Sequence, residues 1–198
     1  MKELIIATTN KHKVKEFSEM LVDYKVLSLD DIKFNDEIVE DGKTFEENAL
    51  IKAETVCKKI GKPVIADDSG LEIFALNNEP GVFSARYLGH DTPYNEKNKI
   101  ILSRLEKVAD EDRGARFVCC IAVSLPNGKN QVYRGEFNGK IAHKIAGENG
   151  FGYDPIFFLP EYNKTAAEID PEEKNRISHR GKALRKLLEA LENGELCL

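Results

Sequence analysis

Two adjacent carboxylates, Asp67 and Asp68, follow a short apolar run that begins at Val64 and precede a serine and a glycine. An apolar, β-branched run bounded in this way is typical of a buried strand that ends at a polar crevice. Because side chains alternate along a strand, the two carboxylates are predicted to point to opposite sides. One could then take part in chemistry while the other stabilises the fold. The alternative is a strand that simply ends in an Asp-Ser-Gly turn, since these residues are common turn formers.

Two groups of cations lie at the starts of predicted helices. Thr8, Thr9 and Asn10 are capping residue types before the first helix, and Ser178 is the predicted N-cap of the last one. The cations are Lys11, His12, Lys13 and Lys15 in the first group and Lys174, Arg176, His179, Arg180 and Lys182 in the second. Cations at a helix start oppose the helix dipole, so this placement favours an anionic ligand such as phosphate over two solvated basic turns. The P-loop pattern GxxxxGK[ST] is absent from the sequence.

A third polar group surrounds the predicted helix that starts after Thr44. Thr44 has capping-box spacing to an acidic residue three positions later. Asn48 and Lys52 share one stripe of this helix, and Lys52 is either a surface lysine or a charge directed into a cleft. Glu40 and Asp41 precede the helix and could supply a metal carboxylate. Because no His or Cys spacing suits a metal, any ion should be a hard one held by carboxylates and phosphates.

The segment from Gly147 to Pro155 places three glycines among aromatic residues. Such a stretch does not suit a helix or a central strand, and it lets the backbone approach a flat ligand that stacks on a ring. A nucleobase fits this description. A packed loop with core aromatics fits it equally well.

Bulk composition narrows the class of protein. The chain has 198 residues, 41% of them hydrophobic, and a formal net charge of −5, which disfavours nucleic-acid binding through a broad basic face. No apolar run approaches the ~20 residues of a membrane span, and the N-terminus lacks a signal-peptide pattern. The four cysteines form no CxxC pair and are expected to be buried thiols in a reducing compartment. We therefore expect a cytoplasmic protein with no membrane partner.

The elements needed to hold these groups are strands and helices in alternation. Strands are predicted at residues 4–7, 24–29, 71–76, 116–125 and 131–137, and a central strand starts at residue 64 and ends within residues 64–70. Amphipathic helices are predicted after residues 10, 44, 94 and 178. The predicted buried face of the third helix carries Ile100, Ile101, Leu105 and Val108. Asn127-Gly128 is a hairpin signal, so an antiparallel pair joins the sheet and makes it mixed. Residues 1–198 are thus expected to form one α/β domain with two lobes.

Six segments, in this order, resemble the Ham1/inosine triphosphatase family of noncanonical purine nucleoside triphosphate pyrophosphatases. They are Thr8 to Lys13, Thr44 to Ala49, Ala66 to Leu71, Gly81 to Arg86, Phe151 to Phe157 and Ser178 to Leu184. The resemblance implies Mg²⁺-dependent hydrolysis of ITP, dITP and XTP to the monophosphate and pyrophosphate. It also implies a long mixed sheet flanked by helices, two lobes around a substrate cleft, and a homodimer.

The same resemblance implies roles for individual residues. Asp68 resembles the proton acceptor and a magnesium ligand, and Glu40 a further metal carboxylate. The implied substrate-binding residues are Thr8, Thr9, Asn10, Lys11, His12, Lys13, Lys52, Ser69, Phe151, Gly152, Tyr153, Asp154, Lys174, His179 and Arg180. The second position of the first motif is often glycine in the bacterial branch, whereas this chain has Thr9.

The hydrogen-bond donors among these residues indicate which purine base the protein would select. Cationic donors such as Lys174, His179 or Arg180 favour a 6-keto purine over adenine, whose amino group would face a positive charge. The same argument does not exclude guanine. Two other functions remain open from the residues: a nucleotide sensor without turnover, and a hydrolase with a glycosidase-like carboxylate pair. The second is disfavoured because adjacent strand residues point apart.

Overall fold

The computed structural model describes residues 2–196, which form five α-helices and eight strands. The helices are α1 (Lys11–Met20), α2 (Phe45–Ile60), α3 (Tyr94–Arg104), α4 (Pro171–Ile177) and α5 (His179–Glu192). The strands are β1 (Lys2–Ile6), β2 (Tyr24–Leu27), β3 (Val64–Ile73), β4 (Glu79–Pro80), β5 (Gly114–Ser124), β6 (Asn130–Ile141), β7 (Phe157–Leu159) and β8 (Lys164–Thr165).

The sheet is mixed, as predicted. Its strand order is β2-β1-β3-β5-β6-β7-β8, with β4 paired to β3. Strand β1 pairs in parallel with β2 and β3, whereas β4 pairs antiparallel with β3, and β7 pairs antiparallel with β6 and β8. The hairpin signal is confirmed between β5 and β6, where the Gly128 N–H donates to the Leu125 carbonyl at 2.9 Å. Gly128 takes φ +85°, a conformation that glycine adopts without strain.

The central strand is longer than its sequence indicated. Two separate strands were expected around a break at Asp67 to Gly70, but β3 runs without interruption from Val64 to Ile73. Eight of its ten residues are buried, and β1 and β5 flank it in the sheet. Neighbouring strands on both sides satisfy the backbone groups of this stretch, which outweighs the turn preference of its Asp, Ser and Gly residues. The two carboxylates therefore lie inside a strand, and the turn alternative is wrong.

The chain divides into two compact units. The first comprises Met1–Asp68, Cys119–Gly135 and Arg180–Leu198, and the second comprises Ser69–Val118 and Glu136–His179. The apolar core of the first unit includes Phe17, Ile65, Ile121 and Leu184. The core of the second unit includes Leu71, Ile101, Leu105, Tyr153 and Phe157. Strands β3, β5 and β6 contribute residues to both units.

Local signals place the start of α1 and both ends of α2 correctly. Asn10 caps α1, Thr44 forms the capping box of α2, and Gly61 ends α2 at φ +66°. Helix α3 ends at Arg104, earlier than expected. Its Ile101 is fully buried as expected, but Ile100 is 41% exposed, so its placement on the buried face is wrong. Helix α4 was not predicted, although Asp170 caps it and Pro171 occupies its first turn.

The cysteine prediction is confirmed for the residues that can be described. Cys57, Cys119 and Cys120 are buried free thiols, and Cys197 lies outside the described residues.

Among residues 2–196, no helix is both long and apolar enough to cross a lipid bilayer.

Candidate active site

Asp68 faces a lysine that also contacts a second carboxylate. The Lys52 ammonium, on α2, donates to Asp68 Oδ1 at 3.0 Å and to Glu40 Oε2 at 2.6 Å. Asp68 and Lys52 are both buried. Burial alone would lower the pKa of Lys52, but Asp68 and Glu40 outweigh it and raise that pKa. Lys52 therefore stays cationic and is not the surface lysine that was one alternative.

The second oxygen of Asp68 is available for chemistry. Asp68 Oδ2 is buried and has no hydrogen-bond partner among residues 2–196. Burial raises the pKa of Asp68, although the Lys52 and Lys13 ammonium groups oppose this shift. A raised pKa makes the carboxylate a stronger base, and a buried acceptor without a donor is costly unless a ligand or water uses it. Asp68 Oδ2 has the properties of a general base.

Asp67, the neighbouring residue, is held from the other side of the strand. Its Oδ2 accepts from Arg180 Nη2 at 3.1 Å and from Cys119 Sγ at 3.1 Å, and its Oδ1 contacts the Lys13 ammonium. Burial alone would raise the pKa of Asp67, but Arg180 and Lys13 hold it well below its usual range. The partners of Asp67 lie on α1, β5 and α5 and that of Asp68 on α2, which confirms that the carboxylates point apart. Asp67 is thus a buried structural anion.

The start of α1 exposes Lys11 and His12 to solvent, whereas Lys13 is half-buried and contacts Asp67. The Asn10 side chain accepts from the backbone N–H groups of His12 at 3.0 Å and Lys13 at 3.3 Å. Thr8 Oγ1 in turn accepts from the Asn10 N–H at 3.1 Å. The first turn carries no acidic residue. The exposed residues of this start are Thr9, Asn10, Lys11 and His12.

Arg180 has a different surrounding from the one expected of a base-reading donor. It is 2% exposed and bonds to Asp67 as well as to Glu16 of α1. Burial alone would lower the pKa of Arg180, but Asp67 and Glu16 raise it further above its ordinary value. The guanidinium is therefore a permanent buried cation that links α5 to β3 and α1. Contact between Arg180 and a substrate stays a prediction.

In the second unit, Asp154 and Lys174 form a buried ion pair. Lys174 Nζ donates to Asp154 Oδ2 at 2.6 Å, and the same oxygen accepts from the Phe151 N–H at 2.8 Å. Lys174 Nζ also lies 5.3 Å from the centroid of the half-buried Phe151 ring. A side chain at Gly150 would place its Cβ 2.1 Å from Asp154 Oδ2. The glycine loop is therefore packed tightly around the ion pair and offers one aromatic ring at its edge.

Of the other predicted substrate-binding residues, some are buried and others are half-buried. Tyr153 is buried, and its hydroxyl donates to the Ser84 carbonyl at 2.7 Å. His179 is buried and stacks on Phe117 with ring centroids 4.8 Å apart. Gly152 and Ser69 are half-buried. Tyr153 and Asp154 thus hold the loop, as the packed-loop alternative expected, and their contact with substrate stays a prediction.

Sequence reasoning assigned no role to three side chains that support these groups. Glu16 contacts Arg180, Ser84 accepts from the Leu71 N–H, and Asn98 donates to the Gly152 carbonyl. Asn48 was noted only for sharing a stripe of α2 with Lys52, and its side chain accepts from the Gly42 N–H. The contact of Glu16 joins residues far apart in the chain, and no short motif marks it.

The donor set fits a hard cation that relies on the substrate for most of its ligands. Residues 2–196 contain no group of three or more His, Cys, Asp or Glu side chains that could hold a metal. Mg²⁺ typically uses one or two carboxylates together with phosphate oxygens and waters. Asp68 Oδ2, buried and without a donor in the described part of the chain, fits the place of such a carboxylate. Glu40 contacts the same lysine as Asp68 and fits that of a second one.

Comparison with known proteins places the chain in a family. Residues 4–190 match the model of the Ham1 family. The dITP/XTP pyrophosphatase of Bacillus subtilis is 51% identical over 194 residues, covering 97% of this chain and 98% of that protein. The dITP/XTP pyrophosphatase of Staphylococcus epidermidis is 47% identical over 192 residues, 97% of each chain.

Solved structures agree with this assignment. The Staphylococcus aureus Ham1 protein superimposes with a TM-score of 0.87 at 44% identity, over 98% of this chain and 100% of that one. A HAM1 protein from Coxiella burnetii superimposes with a TM-score of 0.88 at 45% identity, over the same shares of the two chains. The resemblance found in the six sequence motifs is thereby confirmed, and this chain belongs to the Ham1 family.

Proposed function

We propose that this protein hydrolyses noncanonical purine nucleoside triphosphates, namely ITP, dITP and XTP, to the nucleoside monophosphate and pyrophosphate. The activity named for its Bacillus subtilis and Staphylococcus epidermidis relatives supports this function. The observation that carries it is Asp68, whose Oδ1 is held by Lys52 while Oδ2 is buried without a donor from residues 2–196. Removal of these triphosphates from the nucleotide pool would follow from the activity.

The chemical role of Asp68 follows from its two oxygens. Lys52 holds Oδ1 and so orients the carboxylate, which leaves Oδ2 to accept a proton from the attacking water. Phosphoanhydride hydrolysis depends mainly on neutralising phosphate charge. A magnesium ion held by Asp68, with Glu40 as a further carboxylate, would supply that neutralisation when bound.

The triphosphate is assigned to the start of α1 and to Lys52. Backbone N–H groups of a helix start, hydroxyls and lysines are suitable donors for phosphate oxygens. Thr8, Thr9, Asn10, Lys11, His12 and Lys13 supply all three kinds of donor within six residues. Asn10 already holds this turn in a helical conformation, so the donors are ordered before a ligand arrives.

The base is assigned to the loop of Phe151 and to the cations near it. The Phe151 ring is half-buried and provides a face for stacking, with Lys174 beside it. Lys174 and His179 are candidate donors for the 6-keto oxygen that separates hypoxanthine and xanthine from adenine. Ser69 is assigned a further substrate contact.

The partners and location also remain proposals. We infer a homodimer and a cytoplasmic location, with no nucleic acid among the partners. Size-exclusion chromatography with light scattering measures the oligomeric state directly, and a mass of one chain would contradict the homodimer.

A panel of nucleoside triphosphates tests the proposed function. The purified protein is incubated with ITP, dITP, XTP, GTP and ATP, with and without Mg²⁺, and pyrophosphate and orthophosphate are measured separately. Pyrophosphate from ITP, dITP and XTP only in the presence of Mg²⁺ is the expected result. Release of orthophosphate alone, or saturable ITP binding without turnover, would contradict the proposal.

Two asparagine variants separate the role of Asp68 from a general effect of charge. Asp68→Asn removes the proton acceptor and is expected to lower kcat by a factor of about 10² or more, the range found for general bases. Asp91→Asn is the matched control, because Asp91 is an exposed aspartate in a loop. Near-wild-type pyrophosphate release by Asp68→Asn would remove Asp68 from the mechanism.

A further inference from the structure

Asn48, on α2, binds the backbone of the segment that precedes its own helix. The side chain is fully buried, and its Oδ1 accepts from the Gly42 N–H at 2.9 Å. A Cβ added to Gly42 would lie 2.6 Å from Asn48 Oδ1 and 2.8 Å from Glu47 Cβ. Real Cβ atoms do not approach other atoms so closely. The segment therefore lies against the helix at a distance that only glycine permits.

The same segment is tied to the helix at a second point. Glu47 Oε2 accepts from the Lys43 N–H at 2.6 Å and from the Thr44 N–H at 3.3 Å. Three successive N–H groups, those of residues 42, 43 and 44, are thus held by two side chains in the first turn of α2. We call these contacts of Asn48 and Glu47 with the backbone of residues 42 to 44 the clamp. Glu40 lies two residues before Gly42, so the position of Glu40 depends on the clamp.

Lys52 links the clamp to Asp68, the proposed general base. Lys52 follows Asn48 by one helical turn on the same stripe of α2. Its ammonium contacts Glu40 Oε2 at 2.6 Å and Asp68 Oδ1 at 3.0 Å. Asn48 is therefore connected to Asp68 through its contact with Gly42, the backbone from Gly42 to Glu40, and the contacts of Lys52 with Glu40 and Asp68.

The amide at position 48 is not the choice that stability alone would favour. Asn48 Nδ2 is buried and has no hydrogen-bond partner among the described residues, which is unfavourable for the folded state. Aspartate would accept from the Gly42 N–H equally well and would leave no donor unpaired. Its negative charge, one turn from Lys52, would however compete with Glu40 and Asp68 for the ammonium. A neutral acceptor keeps the clamp and leaves that ammonium to the site.

We propose that Asn48 is a positioning residue for Asp68. By holding the Gly42 backbone, Asn48 fixes Glu40 against Lys52, and Lys52 in turn fixes Oδ1 of the carboxylate that accepts the proton. This inference rests on the proposed function. Because Asn48 is fully buried and is assigned no contact with substrate, its loss should lower kcat more than it changes KM.

A double-mutant cycle between Asn48 and Glu40 tests the proposed route. Asn48→Ala is expected to lower kcat for ITP about tenfold, within the range for small misplacements of catalytic groups, with KM within about twofold of wild type. Glu40→Gln should lower kcat as well. If Asn48 acts through Glu40, adding Asn48→Ala to Glu40→Gln should change kcat by less than about twofold. Effects that multiply in the double variant would overturn the inference.

Gly42→Ala approaches the clamp from the other side and leaves Asn48 intact. Its Cβ should force the segment away from α2, so the same loss of kcat with unchanged KM is expected. Val56→Ala is the matched control, because Val56 is a fully buried core residue of the same helix. It should lower the melting temperature without changing kcat. Equal losses of kcat in Val56→Ala and Asn48→Ala would overturn the positioning role.

Hydrogen exchange gives a readout that does not depend on turnover. Removal of the acceptor should speed exchange of the Gly42 amide in Asn48→Ala, whereas Val56→Ala should leave it slow. Unchanged Gly42 exchange in Asn48→Ala would overturn the inference even if the enzyme is active. A wild-type protein that releases no pyrophosphate from ITP, dITP or XTP would instead contradict the proposed function.

Discussion

Replacing Asp67 and Asp68 one at a time by asparagine should give opposite phenotypes, although the two residues are adjacent. The Asp67 side chain is 1% exposed and accepts from Arg180 and Lys13. Both cations would lose the charge of Asp67 in the asparagine variant. Removing one member of a buried ion pair typically costs about 3–5 kcal/mol. Glu16 still binds Arg180, which places the expected loss of Asp67→Asn near the lower end, about 3 kcal/mol. For a chain of this length, that corresponds to a fall of roughly 6–12 °C in melting temperature.

Asp68→Asn should not be destabilising. Burial raises the pKa of Asp68, which means that its charge at neutral pH opposes folding. Lys52 also keeps Glu40 as a partner when the Asp68 charge is removed. We therefore expect the melting temperature of Asp68→Asn to equal or exceed that of wild type, while pyrophosphate release is lost.

Thermal unfolding followed by circular dichroism, with EDTA present, measures the stability of both variants without bound metal. Pyrophosphate release from ITP at 20 °C, well below the unfolding transitions, measures activity. A large fall in melting temperature for Asp68→Asn, or none for Asp67→Asn, would refute the assignment of one carboxylate to chemistry and the other to structure.

Three further predictions concern pH, a glycine and a helix cap. Because the pKa of Asp67 lies well below its usual range, the ionised Asp67 stabilises the folded state fully above the unfolded pKa of about 4, and this stabilisation is lost as the pH falls further. The midpoint of urea unfolding should therefore drop more steeply below pH 4 in wild type than in Asp67→Asn. Parallel pH curves for the two proteins would contradict this prediction. Gly150→Ala should lower stability more than Gly128→Ala. Both glycines have positive φ, but only a Cβ at position 150 would lie against Asp154. Equal melting temperatures of the two variants would contradict the tight packing of Gly150 against Asp154. Asn10→Ala should cost about 1 kcal/mol through loss of the α1 cap and raise KM for ITP, as measured by urea unfolding and steady-state kinetics.

Local structure could be predicted wherever it depends on residues a few positions apart. The Asn10 cap, the Thr44 capping box and the Asn127-Gly128 turn are all interactions within four residues of the chain. The mixed sheet and the six family motifs could also be identified, and Asp68 could be chosen over Asp67 only by resemblance. The continuity of β3 through Asp67 to Gly70 could not be predicted, because it depends on the strands beside it.

What the sequence determined by itself is the family, the main elements and the residue types available for phosphate chemistry. Tertiary structure decided which charges meet. Arg180 lies 113 residues from Asp67 and binds it in the interior, so a cation predicted to contact substrate also neutralises a buried carboxylate. Lys52 joins Glu40 to Asp68 because α2 packs its Asn48 and Lys52 stripe inward. Such pairings depend on burial and on contacts between distant elements, and neither can be derived from spacing along the chain.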